Sequence, residues 1–198
     1  MYLSPRSSFP SFLFSMLKVL DPVIPIKMED ICESINNLKD LQKKIYSDNL
    51  TLDNPSLDLA NWLTNIPVIY YPWGLQAAAV RFKNSLQENA KMHAMTEDVI
   101  EASHNGIVAW EKESDAMPIL IRGHDDYIKT KERWDIIKEY FEQREIEYKE
   151  IFLIRGSILS KLINLIYLLD YSTIYRSVMS GVDPTPVETI DFIKSKTA

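Results

Sequence analysis

The chain has 198 residues, of which 46% are hydrophobic and 25% are charged. That mixture is typical of a globular protein long enough to bury a core, and it excludes disordered, collagen-like and low-complexity chains. Because 28 acidic and 22 basic residues give a net charge of -6, nucleic acid and anionic membrane surfaces are not expected as the main partners.

Scarce cysteine, glycine and histidine exclude several kinds of site. Cys32 is the only cysteine, so neither an intramolecular disulfide nor a cysteine pair for structural zinc is available, and we expect a cytoplasmic location. No two of the 5 glycines lie closer than 17 residues, which excludes GxGxxG and Walker A phosphate loops. The 3 histidines form no HExxH motif, and no apolar run is long enough to span a bilayer.

The first third of the chain predicts three helices, which we take as a helical arm and linker over residues 1–64. The first covers residues 9–20 and stops at a following proline. An apolar stripe between Met28 and Ile45 predicts the second, laid along the core or along a partner helix. Asn54 followed by Pro55 predicts the capped start of a third, short helix ending near Trp62.

From residue 66 onward, short apolar runs alternate with amphipathic helices, the pattern of βαβ units. The predicted strands cover residues 66–71, 92–98, 117–121 and 150–154. We therefore expect a three-layer α/β fold over residues 65–198, with a parallel sheet of about four or five strands. Residues 159–178 predict a largely buried helix, and Thr185 and Glu188 predict a capping box that opens the last helix at Pro186.

Residue type and position alone single out few chemical groups. Glu88 lies away from the apolar stripe of its predicted helix, so a solvated carboxylate is the default interpretation. His104 lies in a predicted loop, where a single histidine is more often incidental than catalytic. Arg6 and Lys194 would likewise be interpreted as surface charges.

Four sequence segments change that interpretation. They are QENAK at residues 87–91, HNG at 104–106, GVDPTPV at 181–187 and PRSSFP at 5–10. Taken in chain order, with PRSSFP first, they resemble the second half of the archaeal and bacterial bifunctional phosphoglucose/phosphomannose isomerases, which have the sugar-isomerase (SIS) fold. PRSSFP resembles the link between the two halves of those proteins.

The resemblance implies a role for each matching residue. Glu88 matches the base that moves a proton between C1 and C2, His104 the histidine of sugar-ring opening, and Arg6 the arginine beside the enediolate. Lys194 matches the C-terminal ring-opening lysine, with Lys196 as second choice. The implied reaction interconverts glucose 6-phosphate or mannose 6-phosphate with fructose 6-phosphate and needs no metal or other cofactor. It also implies a homodimer in which His104 reaches the neighbouring subunit.

One feature of the family has no counterpart in this sequence. The resembling proteins carry a phosphate loop rich in serine and threonine in their first half, whereas the loop Pro72-Trp73-Gly74 has neither residue. The resemblance thus implies an isomerase-like domain that is incomplete without an N-terminal SIS half, which a separate chain could supply. The alternative is a non-catalytic SIS module that binds a sugar phosphate or a partner subunit.

Overall fold

A computed structural model describes residues 6–51 and 53–197, so Pro5 of the PRSSFP segment lies outside the described residues. Four strands alternate with helices along the chain. The strands are β1 (Pro67–Tyr71), β2 (Met95–Asp98), β3 (Met117–Arg122) and β4 (Lys149–Phe152). The helices are α1 (Phe9–Leu20), α2 (Met28–Ile45), α3 (Pro55–Trp62), α4 (Gln76–Asn89), α5 (Val99–Ala102), α6 (Ile128–Gln143), α7 (Ile158–Met179) and α8 (Glu188–Thr197).

The strands form one parallel sheet in the order β2-β1-β3-β4. Ile69 of β1 lies opposite Thr96 on one side and Ile119 on the other. Parallel neighbours need crossover connections, and helices supply them on both faces of the sheet. The predicted three-layer α/β fold is confirmed, with four strands.

Side chains of β1 point alternately into two separate cores. Ile69 and Tyr71 pack with α3, α4 and α7 on one face of the sheet. Val68 and Tyr70 pack with α5 and α6 on the other face. This alternation is the period of two that a strand imposes, and it places two helical layers on opposite sides of the sheet.

The predicted helices are confirmed. The structure also shows which part of the apolar stripe of α2 packs against the core. Leu41 and Ile45 at its C-terminal end are buried, while Met28 at its start is 66% exposed. The C-terminal end therefore packs against the core, and the N-terminal end of α2 leaves apolar surface uncovered. The buried Asn54 side chain accepts hydrogen bonds from the backbone N–H groups of Ser56 and Leu57, as a capping residue should.

Several predicted strand boundaries differ from the structure, most of them by one or two residues. Strand β2 begins at Met95 rather than at residue 92, because Lys91 takes a left-handed φ of 54° and the Met92 N–H bonds the carbonyl of Leu86. The end of α4 thus uses residues assigned to the strand. Strand β4 covers Lys149–Phe152 rather than residues 150–154.

The predicted capping box at the start of α8 is wrong. Helix α8 begins at Glu188, and residues 180–187 form a non-helical connection that we call the α7–α8 linker. Within it, the carbonyl of Thr185 accepts a hydrogen bond from Arg6 and that of Pro186 accepts one from Lys91. A capping box would need these groups inside a helical turn, so contacts to distant cations prevail over the local signal.

The predicted domain boundary after residue 64 stays a prediction. Helix α3 lies before that boundary, yet its Leu59 belongs to the core cluster that α4 and α7 line. Among the described helices, none is long and apolar enough to cross a membrane.

Candidate active site

The candidate site is built at the C-terminal end of α4. This helix connects two neighbouring parallel strands, so it runs antiparallel to them and ends at the edge where the strands begin. Ala78, Phe82 and Leu86 bury one face of α4 and fix its orientation. Glu88 lies off that face near the end of the helix, and its side chain is 35% exposed.

Arg6 lies directly against Glu88. Its Nε atom is 3.1 Å from Oε2 of Glu88, and its side chain is only 22% exposed. The Nη1 atom donates to Oδ1 of Asn89 at 2.6 Å, and the amide of buried Asn89 donates in turn to Oγ1 of Thr173 at 2.8 Å. Neither Arg6 nor Glu88 is therefore a freely solvated surface charge, which corrects the default interpretation of both.

The α7–α8 linker is tied to the same place by its backbone. Arg6 donates from Nη1 to the carbonyl of Pro184 at 2.7 Å and from Nη2 to that of Thr185 at 2.8 Å. The ammonium of Lys91 donates to the carbonyl of Pro186 at 2.6 Å and also bonds the backbone of Glu88. Three successive carbonyls of the linker are thus held by two cations that flank Glu88.

Helix α8, which carries Lys194, starts directly after this anchored segment. The helix buries none of its residues, and Lys194 is exposed. Lys196 places its ammonium 5.8 Å from the ring centroid of Phe192 in the same helix. Neither lysine forms a hydrogen bond or ion pair with Glu88 or Arg6 in the part of the chain that the structure describes.

His104 lies in the opposite layer of the molecule. It follows α5, whose Val99 and Ala102 pack into the core on the far face of the sheet from α4. The histidine is exposed, and its backbone N–H donates to the carbonyl of Glu101 at 2.9 Å. The sheet separates His104 from the Arg6–Glu88 pair, so a single chain does not bring these residues together.

The QENAK motif identified Glu88, but the sequence analysis did not anticipate the hydrogen bonds that its neighbours Asn89 and Lys91 form. Asn89 bonds Arg6, and Lys91 bonds the α7–α8 linker. The signal was present, because both are polar residues at a helix end, where hydrogen-bonding groups are in demand. Within residues 6–51 and 53–197, no group of three histidine, cysteine, aspartate or glutamate side chains is placed to hold a metal ion.

A carboxylate beside a guanidinium is suited to one class of chemistry. The partly exposed Glu88 can accept a proton from a carbon acid, and the fixed positive charge of Arg6 can lower the energy of a developing oxyanion. Such a pair therefore suits proton transfer next to a carbonyl group.

Comparison with known proteins decides the classification. Residues 52–197 match the family described as bacterial phospho-glucose isomerase C-terminal SIS domain. The chain belongs to this family. It is 30% identical over 192 residues to the bifunctional phosphoglucose/phosphomannose isomerase of Caldicellulosiruptor bescii, covering 94% of this chain and 56% of that protein.

A second curated relative gives the same result. The bifunctional phosphoglucose/phosphomannose isomerase of Aquifex aeolicus is 27% identical over 197 residues, which cover 97% of this chain and 58% of the relative. The SIS-domain chain thus spans little more than half the length of the curated relatives it matches, and the predicted family resemblance is confirmed.

Solved structures show the SIS fold. Tagatose-6-phosphate ketose/aldose isomerase from Escherichia coli superposes with a TM-score of 0.66 at 12% identity, over 90% of this chain and 51% of the other. A glucose-6-phosphate isomerase-like protein from Thermus thermophilus gives 0.63 at 18% identity, over 79% and 52%. At these identities the likeness concerns the architecture alone.

Proposed function

We propose that this chain is the catalytic-base half of an aldose-ketose isomerase for hexose 6-phosphates, interconverting glucose 6-phosphate or mannose 6-phosphate with fructose 6-phosphate. The observation that carries the proposal is the 3.1 Å contact between Arg6 and Glu88. The names of the curated relatives support the substrate class.

The proposed proton transfer uses Glu88 twice. Its carboxylate takes the proton from C2 of the open-chain aldose, and the electrons of the C–H bond form a C1=C2 enediolate with negative charge on oxygen. The same carboxyl returns the proton to C1, while a proton moves from O2 to O1, giving the ketose. Arg6 lowers the energy of the enediolate, because its positive charge is already fixed beside the base.

We propose that His104 and Lys194 open the sugar ring, although the two residues lie in different positions relative to Glu88. In its own chain His104 lies across the sheet from Glu88, so we assign it to the Glu88 site of the neighbouring subunit in a homodimer. The exposed apolar start of α2, including Met28, offers surface for such a contact. Lys194 stands on α8, which the anchored linker attaches beside the base.

A non-catalytic SIS module is the second candidate function. It is favoured by the hydrogen bonding of Arg6, because its Nε, Nη1 and Nη2 atoms all donate to acceptors of the protein itself. An arginine used entirely to hold the α7–α8 linker would stabilise the fold without contacting a substrate. In that case the chain would bind a sugar phosphate or a partner subunit for regulation or assembly.

Reconstitution distinguishes the two functions. The chain is mixed with a separately expressed N-terminal SIS half of one of the curated relatives, and fructose 6-phosphate conversion is measured with and without that half. We expect little or no turnover from the chain alone, because remote phosphate binding energy normally positions the reacting carbons. Activity only in the mixture supports half an isomerase, whereas no activity in either supports the module.

The role of Glu88 is tested in the active mixture. Glu88→Gln should lower turnover by about 100-fold or more, because the amide keeps the shape but cannot accept the carbon-bound proton. Glu147→Gln, a change at an exposed glutamate on the surface, is the matched control and should leave turnover unchanged. Near-normal turnover of Glu88→Gln would show that the base lies elsewhere.

Complementation tests whether His104 acts across the subunit interface. Glu88→Gln and His104→Ala chains are mixed in equal amounts, together with the N-terminal half. If the dimer shares its sites, half of the dimers are mixed and hold one intact site each, so activity should recover to about a quarter of the wild-type value. A mixture no more active than the average of the two variants would place His104 in its own chain's site or in none. Sedimentation of the wild-type chain as a strict monomer would give the same answer.

A further inference from the structure

A partly buried ion pair lies directly behind the segment that carries Arg6. Arg81 of α4 donates from Nη2 and Nε to Oδ2 of Asp170 on α7, at 2.6 and 3.1 Å. The hydroxyl of Ser85 donates to the other oxygen, Oδ1, at 3.0 Å. Burial raises the pKa of Asp170, although the Arg81 guanidinium and the Ser85 hydroxyl both act against that rise.

The same guanidinium also contacts the chain at residue 6 and at a residue three positions later. Nη2 of Arg81 donates to the backbone carbonyl of Arg6 at 3.0 Å. Its Cζ atom lies 4.3 Å from the ring centroid of Phe9, at the start of α1. Arg81 thus connects Asp170 to the backbone of residue 6 and to the helix that follows it.

Apolar packing does little to fix this segment. Helix α1 buries none of its residues. A groove of about 730 Å³ opens between α1, α2 and α7, and Arg6, Arg81 and Asp170 lie in its wall. Phe9 packs against the core but is only partly buried. A segment beside an open groove therefore depends largely on polar contacts for its position, since the hydrophobic contribution that fixes buried helices is small there.

Helix α7 therefore holds Arg6 at two points one turn apart. Asp170 acts through Arg81 on the backbone carbonyl of Arg6, and Thr173 acts through Asn89 on its guanidinium. Residues three apart on a helix lie on the same face, so the contacts that start from Asp170 and from Thr173 both reach Arg6. We propose that Arg81 and Asp170 are positioning residues, which hold the Arg6 guanidinium against Glu88.

The catalytic consequence of this inference rests on the proposed function. If Arg6 stabilises the enediolate, a displaced guanidinium removes an interaction that develops only in the transition state. Loss of the Asp170–Arg81 pair should then lower kcat by about tenfold, the effect of one charge-assisted hydrogen bond. KM should change less, because the proposed phosphate contacts lie in the other half.

A spectroscopic test on the full chain needs no activity. In ¹⁵N-labelled protein, the Nε–Hε resonance of Arg6 is assigned by its loss in Arg6→Lys, and its exchange with water is measured. In Asp170→Asn we expect that exchange to accelerate about tenfold, because the carbonyl of Arg6 is no longer held and the bond to Glu88 opens more often. Unfolding curves are recorded beside each spectrum.

A matched control separates positioning from general loosening. Glu150→Gln weakens another partly buried ion-pair cluster, with Arg122 and Lys138, at the β3–β4 side of the sheet. It should leave the Arg6 resonance unchanged. Should Asp170→Asn fail to fold, Arg81→Lys decides instead, because lysine keeps the charge but lacks the planar fork that reaches Asp170 and Arg6 together.

Each outcome tells the positioning inference apart from the proposed function. An Arg6 exchange rate that stays at the wild-type value in Asp170→Asn and Arg81→Lys, or that rises equally in Glu150→Gln, overturns the positioning inference. Faster exchange confined to the first two variants supports it, even if no mixture of halves shows isomerase activity. The absence of isomerase activity in every mixture would refute the proposed function and leave the positioning inference standing.

Discussion

Removing Arg6 should free the α7–α8 linker. In Arg6→Ala the linker loses two hydrogen bonds, to the carbonyls of Pro184 and Thr185, while Lys91 still bonds Pro186. At the low end for a charged donor, two such bonds contribute about 3 kcal/mol, which corresponds to about a 100-fold change in the opening equilibrium. Because α8 buries no residue, little else restrains the chain beyond the linker.

Amide hydrogen exchange measures this opening directly. Residues 182–191 should exchange up to about 100-fold faster in Arg6→Ala than in the wild type, while amides of the central strands keep their protection. Arg155→Ala removes an exposed arginine elsewhere on the surface and serves as the control. If residues 182–191 kept their wild-type rates in Arg6→Ala, the bonds from Arg6 would not be what anchors the linker.

Three further predictions follow from local contacts. Asn54→Ala should lower the free energy of unfolding by about 2 kcal/mol in urea titrations, because this buried cap bonds two backbone N–H groups of α3. Lys91→Gly keeps the left-handed conformation without strain, so linker exchange should rise about tenfold, the effect of one hydrogen bond from a charged donor, with little change in unfolding. The backbone N–H of Thr185 lowers the pKa of Asp183, so this bond is present at neutral pH. It should be lost as the pH falls below about 4, and Asp183→Asn should abolish that pH dependence of Thr185 exchange.

The fold could be predicted because its determinants are local in sequence. Asn54 caps α3 through N–H groups only two and three residues away. The strands are recognisable in the sequence as short apolar runs, and β1 is buried along its whole length. Predicted boundaries were wrong where the backbone conformation of one residue or a contact from far along the chain determines the end of an element. Lys91 is an example, because its left-handed φ ends α4 and shifts the start of β2 to Met95.

The candidate site was much less visible in the residues themselves. The helical position of Glu88 correctly indicates that it is off the apolar face, but nothing local shows that Arg6, 82 residues earlier, lies against it. Only the resemblance of QENAK and PRSSFP to one family paired the two. The Asp170–Arg81 pair spans 89 residues in sequence and belongs to no segment that carried the resemblance.

The failed capping box shows why such sites escape periodicity and capping rules. Thr185, Pro186 and Glu188 satisfy the local signal for a helix start, and a helix beginning there would form bonds within one turn. The structure instead turns the carbonyls of Pro184, Thr185 and Pro186 toward Arg6 and Lys91. A bond to a charged donor is worth more than a neutral one, so two distant cations can prevail over a cap. A local signal that is present in the sequence and unused in the fold therefore marks a segment held by residues from elsewhere, and here those residues flank the proposed base.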